Sequence, residues 1–200
     1  MSTNDNRFVM TLLATCAMAA AAAFMTSKAL AGPRLVADTF MATTANMTPA
    51  GVNLRMQIIE WQDADARAEA VATLAAGADA PTPLAKLPTV GYVWPSGSPV
   101  GYSIKYANRA LEPDGGERIT LVTDKRLGSY DFKGWSAASA GAAGDAPYSV
   151  IELDLSGSGS GTGTLSLVAD VVLDEQAGTV ALKPGAPTLL TDVKRETTTH

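Results

Sequence analysis

The chain has 200 residues, 46% of them hydrophobic and 18% charged, with a formal net charge of −5. That balance fits a globular domain with a core of its own. One cysteine, one histidine and no clustered basic charge set aside disulfide frameworks, the common zinc sites and nucleic-acid binding.

Residues 1–31 differ in kind from the rest. A polar start, MSTNDNR, leads into the apolar run FVMTLLATCAMAAAAAFM and then TSKALA, with Ala29 and Ala31 in the A-x-A arrangement before Gly32. This is the layout of a secretory signal peptide cleaved between Ala31 and Gly32. Two readings compete with it. The 18 residues from Phe8 to Met25 approach the length of an uncleaved membrane anchor. Cys16 in LATC could carry a lipid, although Thr15 is bulky for that role and the apolar run continues past the cysteine. Cleavage removes Asp5, Arg7 and Lys28, which takes the net charge from −5 to −6 and leaves no cysteine.

The mature part, 32–196, reads as a single β-rich domain with a disordered tail at 197–200. In VNLRMQIIEW, Val52, Leu54, Met56 and Ile58 alternate with polar residues, which predicts a half-buried strand. QDADARAEAVATLAAGADAPTP then switches to helical spacing. Asp63 or Asp65 can cap the helix, Ala64, Ala68, Val71, Leu74 and Ala75 form an apolar stripe, and Gly77 is a natural stop. PLAKL adds a second helical turn, so a helical insertion is expected at about 63–87, packed on a sheet or capping a barrel.

The remaining segments, TVGYVW, GYSIKYANRAL, ERITLVTDKR, YSVIELDL, TLSLVADVVLD, GTVALKP and TLLTDVKRE, are β-rich and bounded by turn residues. PDGG at 113–116 and EQAG at 175–178 are hairpin signals. SAASAGAAGDAP, 136–147, reads as a small-residue loop. Together these predict a mainly β antiparallel meander, forming a barrel or a strongly curved sheet.

LDLSGSGSGTGTLSLVADVVLD, 153–174, carries glycine at 157, 159, 161 and 163. The apolar phase holds through the glycines: odd positions from Leu153 to Leu167 are Leu or Gly and continue as Ala169, Val171 and Leu173, and even positions from Glu152 to Ser166 are polar. Both phosphate-loop patterns fail, since Thr162 breaks the Gly-rich fingerprint and no Lys-Ser or Lys-Thr follows. The stretch therefore reads as a hairpin folded around Ser160 with a glycine tip, which would set Leu155 against Leu165 and Leu153 against Leu167.

Little here points to catalysis. His200 is the last residue, so a Ser-His-Asp arrangement would have to recruit the tail. DADARAEAVATL opens like a calcium loop but has Arg67, Ala68 and Leu74 where that loop needs a ligand, a glycine and a glutamate. Glu152 with Asp154, and Asp170 with Asp174, are carboxylate pairs that could serve a glycoside hydrolase, yet each lies opposite an apolar strand face. NMT at 46–48 matches a glycosylation acceptor. No metal and no cofactor is expected.

Aromatic residues are more suggestive. Seven of the mature chain's ten fall within 92–135. Trp61, Tyr92, Trp94, Tyr102 and Tyr106 are the candidate ligand-binding residues, with Tyr102 and Tyr106 on one strand face and Tyr92 and Trp94 on another. A core corner built from large rings is the competing reading.

The succession MTPAGVNLRMQIIEW, LPTVGYVW, GERITLVTDKR and YSVIELDL is similar to a group of uncharacterised exported bacterial β-rich proteins, over roughly 40–195. The resemblance implies a bacterial envelope setting and one β-rich domain, and it brings no activity with it. The expected function is an exported, non-catalytic binding or interaction module of the periplasm or extracellular space. It would bind a small apolar or aromatic molecule or an envelope protein, with no nucleic acid, and would meet a membrane only through an uncleaved leader. The alternatives are a carboxylate-dependent hydrolase and a passive structural protein.

Overall fold

In the computed structural model, residues 38–76, 81–130, 135–137, 147–167, 171–183 and 188–196 are described. The expected leader, its cleavage site and the tail at 197–200 lie outside them. Eight strands close a barrel: β1 (Asp38–Thr44), β3 (Asn53–Ile58), β4 (Gly91–Pro95), β5 (Tyr102–Leu111), β6 (Glu117–Thr123), β8 (Val150–Leu155), β9 (Ser160–Ser166) and β12 (Thr188–Glu196). Each pairs antiparallel with the next, and β12 returns to pair with β1, so the meander closes without a free edge. Two small ladders lie off the barrel. β2 (Met47–Thr48) pairs with β7 (Ser136–Ala137), and β10 (Val171–Asp174) pairs with β11 (Thr179–Leu182).

Strand alternation fills the barrel. Leu121, Ile151 and Leu165 make one row across β6, β8 and β9, and Ile119, Leu153, Gly163 and Leu190 make the next, which continues onto β12. Phe40, Leu54, Met56, Ile58, Val93 and Ile104 complete the interior cluster, all with no exposed surface. Each such side chain contributes about 1.5–3 kcal/mol by leaving water.

A second apolar cluster lies outside the wall. Helix α1 (Ala64–Ala75) begins where Asp63 accepts a hydrogen bond from the Ala66 amide at 2.9 Å, and α2 (Pro81–Lys86) follows. With the β10–β11 hairpin they cover Tyr106, Val122 and Val150 on β5, β6 and β8. The buried side of α1 is Ala70, Val71 and Leu74, while Ala64 and Ala75 of the expected stripe are exposed. A helix resting on a convex wall buries a strip narrower than its sequence pattern suggests. Gly77, the expected helix stop, lies outside the described residues.

The insertion is anchored at a β-bulge. Pairing of β5 with β6 slips between Ile104 and Tyr106, so Tyr102 and Ile104 face inward while Tyr106 faces the helices. The expectation that Tyr102 and Tyr106 share a face is thereby corrected. Gln62 occupies the gap, its amide oxygen accepting from Ala107 N at 2.8 Å and its nitrogen donating to Lys105 O at 3.2 Å. Lys105, 5% exposed, donates to the carbonyls of Ala85 (3.0 Å) and Leu87 (2.8 Å) and to the Thr89 hydroxyl (3.0 Å). It satisfies the end of α2, where carbonyls lack helical partners.

The glycine-rich stretch is a hairpin, but its register differs from the expected one. Ile151 faces Leu165, Leu153 faces Gly163 and Leu155 faces Gly161. The turn closes at Ser156–Ser160, where Gly159 takes φ +79. A tight turn is preferred to a long open tip, and the paired strands leave no room for a side chain at Gly161 or Gly163. A Cβ on Gly161 would overlap the Asp154 carbonyl, and one on Gly163 would stand 2.6 Å from the Glu152 oxygen and 2.9 Å from Leu153. TLSLVADVVLD, expected as one strand, is divided between β9 and β10.

Candidate functional site

The five aromatic candidates do not form one pocket. Tyr102 is 1% exposed inside the barrel, where its hydroxyl accepts from the amides of Gly128 (3.0 Å) and Tyr130 (3.2 Å). Tyr106 is buried beneath the outer layer. It donates to Gly178 O at 3.1 Å and accepts from Val180 N at 3.3 Å, and burial raises its pKa above the ordinary value of 10.0. These two rings hold the fold together. Trp61 is half-buried at one end of the barrel.

Tyr92 and Trp94 are brought together. Both point outward from β4, their ring centroids 5.2 Å apart and their planes inclined by 37°. Trp94 lies against Gly101, where a Cβ would stand 2.5 Å from its indole nitrogen. Cross-strand pairing places Arg55 beside Trp94, and Gln57 and Ser103 on either side of Tyr92. These neighbours give a half-buried aromatic pair framed by an amide, a hydroxyl and a guanidinium.

The second polar assembly closes the barrel end at which β1 begins and β12 finishes. Glu117 lies in phase with Ile119 and Leu121, so its carboxylate points inward. It accepts from Arg195 Nη1 at 2.9 Å and Nη2 at 2.7 Å, and Arg109 Nε approaches it to 2.6 Å. Arg195 also faces Asp38 at 3.6 Å, and Asp38 accepts from the Trp61 indole at 2.8 Å. The guanidiniums lie over rings, Arg195 5.1 Å from Phe40 and Arg109 6.0 Å from Trp61. Burial works against the charge on Glu117, but hydrogen bonds from Arg195 and Arg109 outweigh it and hold its pKa below the ordinary 4.5. A carboxylate held so firmly ionised is a poor proton acceptor near neutral pH. Bidentate pairing makes this a clamp between β5, β6 and β12.

Other carboxylates are dispersed. Glu152 accepts from Leu182 N at 2.8 Å and ties β11 to the wall. Asp154 pairs with Arg118 at 3.0 Å on the surface, and Asp174 caps its own turn through Gln176 N and Ala177 N. Asp170 lies outside the described residues. An open groove of about 580 Å³ runs between the turns 112–116 and 156–160, lined by Glu112, Asp114, Glu117, Arg118 and Asp154. Among the described residues no group of three His, Cys, Asp or Glu side chains could hold a metal ion. In the same residues no helix is long and apolar enough to cross a membrane.

The charged barrel end escapes a strand-by-strand reading. Its one sequence signal is a charge in phase with apolar positions, as Glu117 is with Ile119 and Leu121. Comparison with family models, curated proteins and solved structures gives no match.

Proposed function

We propose that the protein is an exported, non-catalytic binding or interaction module of the bacterial envelope, and that it recognises its partner on the outer wall of the barrel. The leader-like residues 1–31 and the resemblance to exported bacterial proteins motivate the setting. The observation that carries the rest is the filled interior: Phe40, Leu54, Met56, Ile58, Ile119, Leu121, Ile151 and Leu153 are fully buried against one another. The space a small apolar ligand would need is taken by side chains, which favours surface recognition over an internal carrier. The hydrolase alternative finds little support, because Glu152, Asp154 and Asp174 are each engaged in separate structural contacts.

Native mass spectrometry of the protein released gently from its host's envelope, compared with its denatured mass, tests this reading. The expected spectrum shows the bare chain or the chain with a macromolecular partner. A discrete mass of an apolar small molecule that disappears on denaturation would overturn outer-wall recognition in favour of the carrier, whereas a sugar mass would fit the outer wall.

A further inference from the structure

Resting on that reading, we propose that the Tyr92–Trp94 face is a carbohydrate-binding surface for one or two sugar rings. The helices and the β10–β11 hairpin cover the β5–β6–β8 side of the barrel, and the two rings stand on β4, where β3 and β4 pair. Trp94 is laid down by its contact with Gly101, so the indole is a fixed platform. Tyr92 packs against it, with centroids 5.2 Å apart and planes inclined by 37°, so the pair presents one angled aromatic surface. The C–H face of a pyranose carries slight positive charge and suits the electron-rich face of an aromatic ring. Around the rings stand Gln57, Ser103 and Arg55, an amide, a hydroxyl and a guanidinium, which can donate to or accept from ring hydroxyls.

A protein partner fits less well. A stable protein interface needs about 800 Å² per side with an apolar centre depleted of charge. Here two half-buried rings are bordered by Arg55 on β3, which is itself ion-paired with Glu196 at 3.6 Å. The apolar area suits a small, flat, hydroxyl-rich ligand.

The chain's three tryptophans make the test direct. ¹⁵N-labelled protein produced from the full chain is titrated with cellotetraose, chitotetraose and maltotetraose to about 10 mM, a range that captures millimolar binding. The expected result is a saturable shift of the Trp94 indole resonance with at least one sugar, while those of Trp61 and Trp135 hold still. Tyr92→Ala should weaken that binding about tenfold. Gly101→Ala, whose new Cβ displaces the indole without touching the ligand, should weaken it similarly. The inference is overturned if no sugar shifts Trp94, if all three indoles shift alike, or if both variants bind as the wild type does. A protein partner in the native spectrum, lost on Trp94→Ala, would also overturn it while leaving the binding-module reading intact.

Discussion

Replacing Gly161 with alanine tests the register of the barrel wall. In the observed pairing Gly161 faces Leu155, and a Cβ at 161 would overlap the Asp154 carbonyl oxygen and lie 3.0 Å from Leu155 Cα. Both atoms are backbone, so relief requires β8 and β9 to separate rather than a side chain to turn. Overpacking of this kind costs about 3 kcal/mol. Reduced freedom of the unfolded chain returns about 0.5–1 kcal/mol. The net loss of about 2 kcal/mol should lower Tm by about 4–8 °C for a domain of this size. Gly157→Ala is the control, because its nearest atom is Gly115 O at 3.2 Å, and it should change stability by less than about 0.5 kcal/mol. Thermal and urea melts of both variants read the difference. Were all four glycines in a loose tip, the two variants would melt alike. A Gly161→Ala protein melting within about 1 °C of wild type would refute the pairing.

Lys105→Met keeps the bulk but removes three donated hydrogen bonds, and should cost about 2 kcal/mol. Amide exchange should speed up in α2 before the barrel loosens, and equal protection of α2 in variant and wild type would count against the anchor. Glu117→Gln leaves Arg109 and Arg195 facing each other in a partly solvated end, which should cost about 2 kcal/mol at neutral pH. Because the folded-state pKa of Glu117 is lowered from 4.5, its contribution is complete above that value and fades as pH falls through the lower folded pKa. The gap between wild type and Glu117→Gln in urea melts should therefore be full at pH 6 and narrow under acid, and a gap that widens on acidification would contradict the clamp. The intact mass from the native host should begin at Gly32, whereas retention of residues 1–31 would remove the signal-peptide expectation.

Much of this fold is legible in local chemistry. PDGG forms the β5–β6 turn with Gly115 at φ +83, and EQAG forms the β10–β11 turn with Gly178 at φ +62. Asp63 caps α1, and the alternation of leucines with polar residues from Ile151 to Leu165 places every apolar side chain inside. The features that escape depend on distant partners. β1, DTFMATT, is rich in threonine, and its strand character comes from pairing with both β3 and the chain's last strand. The bulge at Lys105 turns Tyr106 outward because helices wait there, which no period-2 reading of GYSIKYANRAL can foresee. Parity along the glycine hairpin is preserved by a shift of an even number of residues. Alternation alone therefore admits both registers, and the tight turn closed between Ser156 and Ser160 is what distinguishes the observed one. The candidate site divides in the same way. Tyr92 and Trp94 are neighbours by local spacing, whereas Asp38, Arg109, Glu117 and Arg195 meet only when the barrel closes.

A titration with a lipophilic fluorophore such as N-phenyl-1-naphthylamine measures most directly whether the barrel is occupied by its own side chains. A filled interior predicts no saturable one-to-one enhancement on the folded protein, with weak, linear partition onto the surface. Saturable one-to-one binding, displaced by a fatty acid and lost when the protein unfolds, would contradict it and make the interior the site of recognition.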